Sequence, residues 1–128
     1  MPVTITALYA AILSLLMTAL AMNVSVTRER LKIRVGDGGD PQMLRMIRLQ
    51  GSAAEYIPIA LLLMGLYELN RGLPVALHAA GIALVLGRLS FVTAFWKTAE
   101  PSPARAIAAG LTWLAIAALA ALNLWQIR

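Results

Sequence analysis

Four side chains in the second apolar stretch of this sequence are spaced to act together: Arg45, Arg48, Ser52 and Glu55. Steps of three, four and three place them on one side of an α-helix. A carboxylate inside an otherwise apolar span is costly unless it is paired. Glu55 therefore calls for a cation, and Arg88 in the next apolar stretch is the candidate. At 1.5 Å per helical residue both fall about 10–14 Å in from the same end. The expectation is a Glu55–Arg88 ion pair between two helices. An ion pair needs only two residues, whereas Arg45, Arg48 and Ser52 add a basic pocket to the same face. Such a pocket suits a small anion with two carboxylates. An anionic lipid headgroup is the competing occupant, and a purely structural role for the charges is the third reading.

Other chemistries are excluded by what the chain lacks. It has no cysteine, so disulfides, thiolate metal sites and cysteine nucleophiles are ruled out. It has one histidine, His78, too few for a multi-histidine metal site. His78 lies toward the other end of its stretch from Arg88 and reads as an interface residue. Asp37 and Asp40 among Gly36, Gly38 and Gly39 lack the spacing of a calcium loop and read as a turn. No metal site is expected.

The elements that must carry the pocket are long and apolar. Of 128 residues, 60% are apolar and 13% charged, and the mean hydropathy is +0.77. A soluble domain is nearer half apolar and a quarter charged. Four runs, at about 3–26, 49–67, 73–96 and 106–127, approach the roughly 20 residues needed to cross a bilayer. The fold class is an all-α membrane protein, a four-transmembrane-helix bundle forming one domain. The length leaves no room for a nucleotide-binding sheet, a hydrolase sheet or a catalytic barrel. The first run lacks the basic residues that precede a cleaved signal peptide and reads as a retained span.

The connections are equally readable. Asp40 followed by Pro41 is an N-cap with proline at the first helical position, so helix 2 begins well before its apolar part. Pro58 interrupts the hydrogen bonding of that helix and is expected to kink it. Asn70-Arg71-Gly72-Leu73-Pro74 is a tight turn, and Glu100-Pro101-Ser102-Pro103 breaks the chain before the last span. The net charge of +5 is concentrated: Arg28, Arg30, Lys32, Arg34, Arg45 and Arg48 lie between spans 1 and 2, and Lys97 and Arg105 between spans 3 and 4. Only Arg71 and Arg128 lie on the other side. This is a topology signal rather than a nucleic-acid surface. It places both basic connections in the cytoplasm and both termini outside the cell membrane. In helix 1, Ala7, Ala11, Ser14, Thr18, Ala21 and Ser25 form a stripe of small residues, the kind of face on which helices approach closely in lipid.

The stretch Arg45-x-x-Arg48-Leu49-x-x-Ser52-x-x-Glu55-Tyr56-x-Pro58 resembles the second-helix pattern of the MAPEG family, the membrane-associated proteins in eicosanoid and glutathione metabolism. That pattern is Arg-x-x-Arg-Ala-x-x-Asn-x-x-Glu, often followed by proline. The Gly-Asp-Gly-Gly-Asp-Pro loop, Gly87-Arg88-Leu89 and Pro103-Ala104-Arg105 resemble small bacterial members, and the likeness spans the whole chain. It implies a homotrimer that binds glutathione between subunits near the cytoplasmic face. Arg45, Arg48, Ser52, Glu55, Tyr56 and Arg88 would hold the tripeptide. Arg105 would be the catalytic residue, favouring ionisation of a thiol whose ordinary pKa is about 8.5. The implied activity is transferase- or peroxidase-like, on lipophilic substrates drawn from membrane lipid. A non-catalytic trimer binding lipid or another small anion is the alternative. The chain departs from the pattern at Leu49 and Ser52. It also carries Phe91, Phe95, Ala106 and Ala109 where other members can hold histidine, tyrosine or serine.

Overall fold

The computed structural model describes residues 2–97 and 103–128. They form four α-helices: α1 (Thr4–Leu31), α2 (Pro41–Leu69), α3 (Pro74–Lys97) and α4 (Pro103–Ile127). All four are long and apolar enough to cross a membrane. At 24 to 29 residues they run about 36–44 Å, longer than a hydrocarbon core of roughly 30 Å, so their ends reach the interface. The turn expected at Glu100-Pro101-Ser102-Pro103 lies outside the described residues up to Pro103.

Local chemistry sets the helix ends. Three helices start with proline, where the missing N–H costs nothing. Asp40 caps α2 as expected, its Oδ1 accepting from Met43 N at 3.0 Å. Helix α1 ends on Lys32 in the left-handed region (φ 58°), and the amides of Lys32 and Ile33 both return to Arg28 O. Arg28 then donates to Gly36 O at 2.7 Å, folding the basic connection back on its own helix. Pro58 is accommodated inside a continuous α2.

Helices α2 and α3 each touch the other three. Helix α1 lies mainly on α2, α3 mainly on α4, and α1 and α4 are not neighbours. The inward face of α2 carries Met43, Met46, Leu49, Ala53, Ile57, Ala60, Met64 and Tyr67, a run of three- and four-residue steps. Leu13, Leu77, Leu84 and Leu119 meet it, all fully buried. Gly87 lets α3 approach α4 closely: a Cβ there would stand 3.1 Å from Leu111 Cβ and Thr112 Oγ1.

The small-residue stripe of α1 does not pack within the protomer. Ala7, Ala11, Ser14, Thr18, Ala21 and Ser25 are all exposed, and the buried face is Thr6, Tyr9, Leu13, Leu20 and Thr27. Two of the stripe's hydroxyls are satisfied by their own helix, Ser14 Oγ donating to Ala11 O and Thr18 Oγ1 to Ser14 O.

Candidate functional site

Arg88 is the most deeply buried charge, 1% exposed on the inner side of α3. Its Nη2 donates to Ser52 Oγ at 2.9 Å. Its Nε is buried with no partner. Among the described residues no carboxylate lies within ion-pair distance of it. The expected Glu55–Arg88 pair is therefore not formed. Glu55 Oε1 instead accepts from Arg48 Nη1 at 3.3 Å, both side chains being half exposed.

Helix geometry explains the exchange. At about 100° per residue the 45-48-52-55 stripe is two lines roughly 60° apart. Arg45 and Ser52 share one line; Arg48 and Glu55 share the other, two turns apart. The first line turns inward and the second outward, so Ser52 meets Arg88 and Glu55 does not.

Arg88 opens onto a cavity of about 440 Å³ between α2, α3 and α4. Helix α2 contributes Arg48, Ser52 and Tyr56; α3 contributes Arg88, Phe91 and Phe95. Helix α4 contributes Arg105, Ala106, Ala109 and Trp113. The structure thus brings together five of the seven site residues expected from sequence. Arg45, whose Nε is buried without a partner, and Glu55 do not line the cavity.

One wall is a column of two stacked rings with a cation at each end. The Arg88 guanidinium lies 4.8 Å from the centre of the Phe91 ring. Phe91 stacks on Phe95 at 5.4 Å and 13°. The Arg105 guanidinium lies 4.2 Å from the centre of the Phe95 ring. Each cation faces the negative side of a ring. The sequence carried a signal for this wall: Arg88, Phe91 and Phe95 step by three and four, as do Ala106, Ala109 and Trp113. A concave site of this size, mostly apolar with a few convergent charges, has the character of a ligand pocket.

The opposite end of the bundle holds a second polar cluster that the spacing of residues did not reveal. Val3 gives α1 no side-chain cap. Glu68, from the last turn of α2, supplies it: its two oxygens accept from Ile5 N at 3.0 Å and Thr6 N at 2.8 Å. Beside it, Tyr9 Oη and His78 Nδ1 share a hydrogen bond of 2.9 Å. This contact is 69 residues distant in sequence and leaves no local pattern.

Together these features define an integral membrane protein of four helices with a cationic, aromatic-walled cavity among three of them. The sequence profile of the MAPEG family matches residues 6–125, and the chain belongs to that family. It is 34% identical over 127 aligned positions to the inner membrane protein YecN of Escherichia coli strain K12, covering 94% of this chain and 91% of the relative. The YecN of Escherichia coli O6:H1 strain CFT073 matches to the same extent.

Proposed function

We propose that the cavity holds a small anionic thiol, glutathione, and presents it to a lipophilic substrate in transferase- or peroxidase-like chemistry. The observation that carries this reading is Arg88: a buried guanidinium without a carboxylate partner among the described residues. A buried charge is stable only when paired, and an anionic ligand supplies the missing partner. Arg forks grip carboxylates at two points. Arg88 and Ser52 hold one carboxylate at depth, and Arg48 holds the other nearer the rim. Arg105 stands over the cavity wall as the positive charge that favours thiolate. Bound glutathione supplies the nucleophilic sulfur, which bonds to an electrophilic carbon as the leaving group departs with its electron pair. Phe91, Phe95 and Trp113 give an apolar substrate a surface to lie on.

Glu55 bears on assembly. It is half exposed on the protomer, and a carboxylate facing hydrocarbon is costly. A neighbouring protomer covering that face removes the cost, which supports self-association; a homotrimer is the assembly that the family resemblance implies. The relatives are named as inner membrane proteins, which supports the same membrane here, and the charge asymmetry supports an orientation with both termini outside the cytoplasm.

A second reading is a non-catalytic trimer that binds lipid or another small anion. Phe91, Phe95, Ala106 and Ala109 favour it, since none offers a hydroxyl or titrating group to the cavity. Calorimetry with glutathione on detergent-purified protein, followed by turnover of a chromogenic electrophile, separates the two. Binding that weakens about ten- to a hundredfold in Arg88→Gln, with turnover, supports the first; the range is that of one charged hydrogen bond. No binding at millimolar glutathione, or binding without turnover, leaves the second.

A further inference from the structure

The end of the bundle away from the arginine cavity carries a groove of about 490 Å³ where α2 and α4 finish and α3 begins. Its wall is largely apolar, with Leu73, Leu122 and Trp125. Leu73 and Trp125 are each about two-thirds exposed. One guanidinium lines it and a second lies over one of its lining rings. Arg71 lines the groove, fixed in the left-handed region (φ 61°) by the turn in which Gly72 N donates to Tyr67 O. Arg128 lies 3.5 Å above the Trp125 ring. Neither has an acidic partner among the described residues, because the nearby Glu68 commits both oxygens to the amides of α1.

Gln126 adds an unsatisfied acceptor. Its Nε2 donates to Tyr67 O at 3.3 Å and to Asn70 O at 3.2 Å. Those two carbonyls fix which end of the amide is nitrogen. Its Oε1 is then a buried acceptor with no donor, and Gln126 lines the groove. Such an acceptor costs free energy until a donor reaches it.

We propose that this groove is a site for phosphatidylethanolamine, a phospholipid whose headgroup bears N–H donors. The phosphodiester lies against Arg71 and Arg128, the headgroup ammonium donates to Gln126 Oε1, and the acyl chains start along Leu73, Leu122 and Trp125. Charge complementarity selects the phosphate. A ring such as Trp125 at a helix end marks the depth at which headgroups lie. A choline headgroup satisfies the arginines but brings no N–H to Gln126. The site is independent of glutathione binding.

Native mass spectrometry of the full-length protein in detergent, titrated with dioleoyl phosphatidylethanolamine or dioleoyl phosphatidylcholine, tests it. The wild type is expected to retain the ethanolamine lipid at lower concentration than the choline lipid. Arg71→Gly with Arg128→Ala is expected to need about thirtyfold more of it, at about 1 kcal/mol per basic residue near a membrane surface. Glycine suits the left-handed backbone at position 71, so the double variant should melt no lower than the wild type without added lipid. If it does not fold, Arg128→Ala alone gives the same comparison with a smaller loss, about fivefold. Equal retention of the two lipids by the wild type overturns the proposal, as does undiminished retention by the folded variants.

Discussion

Removing the carboxylate of Glu68 tests how α1 is held to the bundle. Its oxygens accept from Ile5 N and Thr6 N at 3.0 and 2.8 Å, and Val3 offers no substitute. The first four amides of a helix have no partner within it. Losing an ordinary N-cap costs about 0.5–2 kcal/mol, and a hydrogen bond to a charged group contributes about 1.5–3 kcal/mol. Glu68 makes two such bonds near a surface where water partly replaces them, so Glu68→Ala should destabilise by about 2–3 kcal/mol. Reversible unfolding in mixed dodecyl sulfate micelles, followed by circular dichroism, gives the total. Hydrogen exchange at Ile5 and Thr6 gives the local effect, which should appear as faster exchange at those amides and little change at the buried centre of α2. A loss below about 0.5 kcal/mol, with unaltered exchange at both amides, would refute the capping role.

The observed pairing changes what Glu55→Ala should do. Because its partner is Arg48 and not Arg88, Glu55→Ala should couple to Arg48→Ala in a double-mutant cycle and add independently to Arg88→Ala; the same micelle titration reads both. Gly87→Ala places a methyl group 3.1 Å from two side-chain atoms of α4 and 3.3 Å from Ala108 O. Overpacking of that kind costs about 1–3 kcal/mol, measured as a lowered melting temperature in detergent. For orientation, cysteines at the exposed positions Val35 and Val75 should react oppositely with an impermeant maleimide on intact cells. Val75→Cys should label and Val35→Cys should not, and the reverse pattern sinks the assigned topology.

Much of this architecture is legible in the sequence because its determinants are local. Asp40-Pro41, the other two helix-starting prolines and four long apolar runs depend only on neighbours in the chain, and the helices begin where those signals lie. Arg48 and Ser52 were grouped by helical periodicity and Arg88 by its matching depth, whereas Tyr56 and Arg105 were legible only through the family resemblance. The Glu55–Arg88 pair failed for a finer reason: steps of three and four drift around the helix, and about 60° separates an inward serine from an outward carboxylate. The stripe of α1 shows the same limit, since periodicity identifies a face without saying whether this protomer covers it. Glu68 capping α1 and Tyr9 meeting His78 were illegible because each joins residues more than 60 positions apart.

The absence of contact between α1 and α4 has a consequence for how the chain is made. The two closest helix pairings, α1 with α2 and α3 with α4, join consecutive helices. The first pair can form as a hairpin while α3 and α4 are still being synthesised, and most of the packing in both pairs needs only nearby chain. The bundle closes late. Asn123 Nδ2 donates to Leu63 O and Gln126 Nε2 to Tyr67 O and Asn70 O, stitching the last turns of α4 to the last turns of α2. These contacts become available only once α4 is in place, so the second hairpin is fastened to the first by the far end of α4.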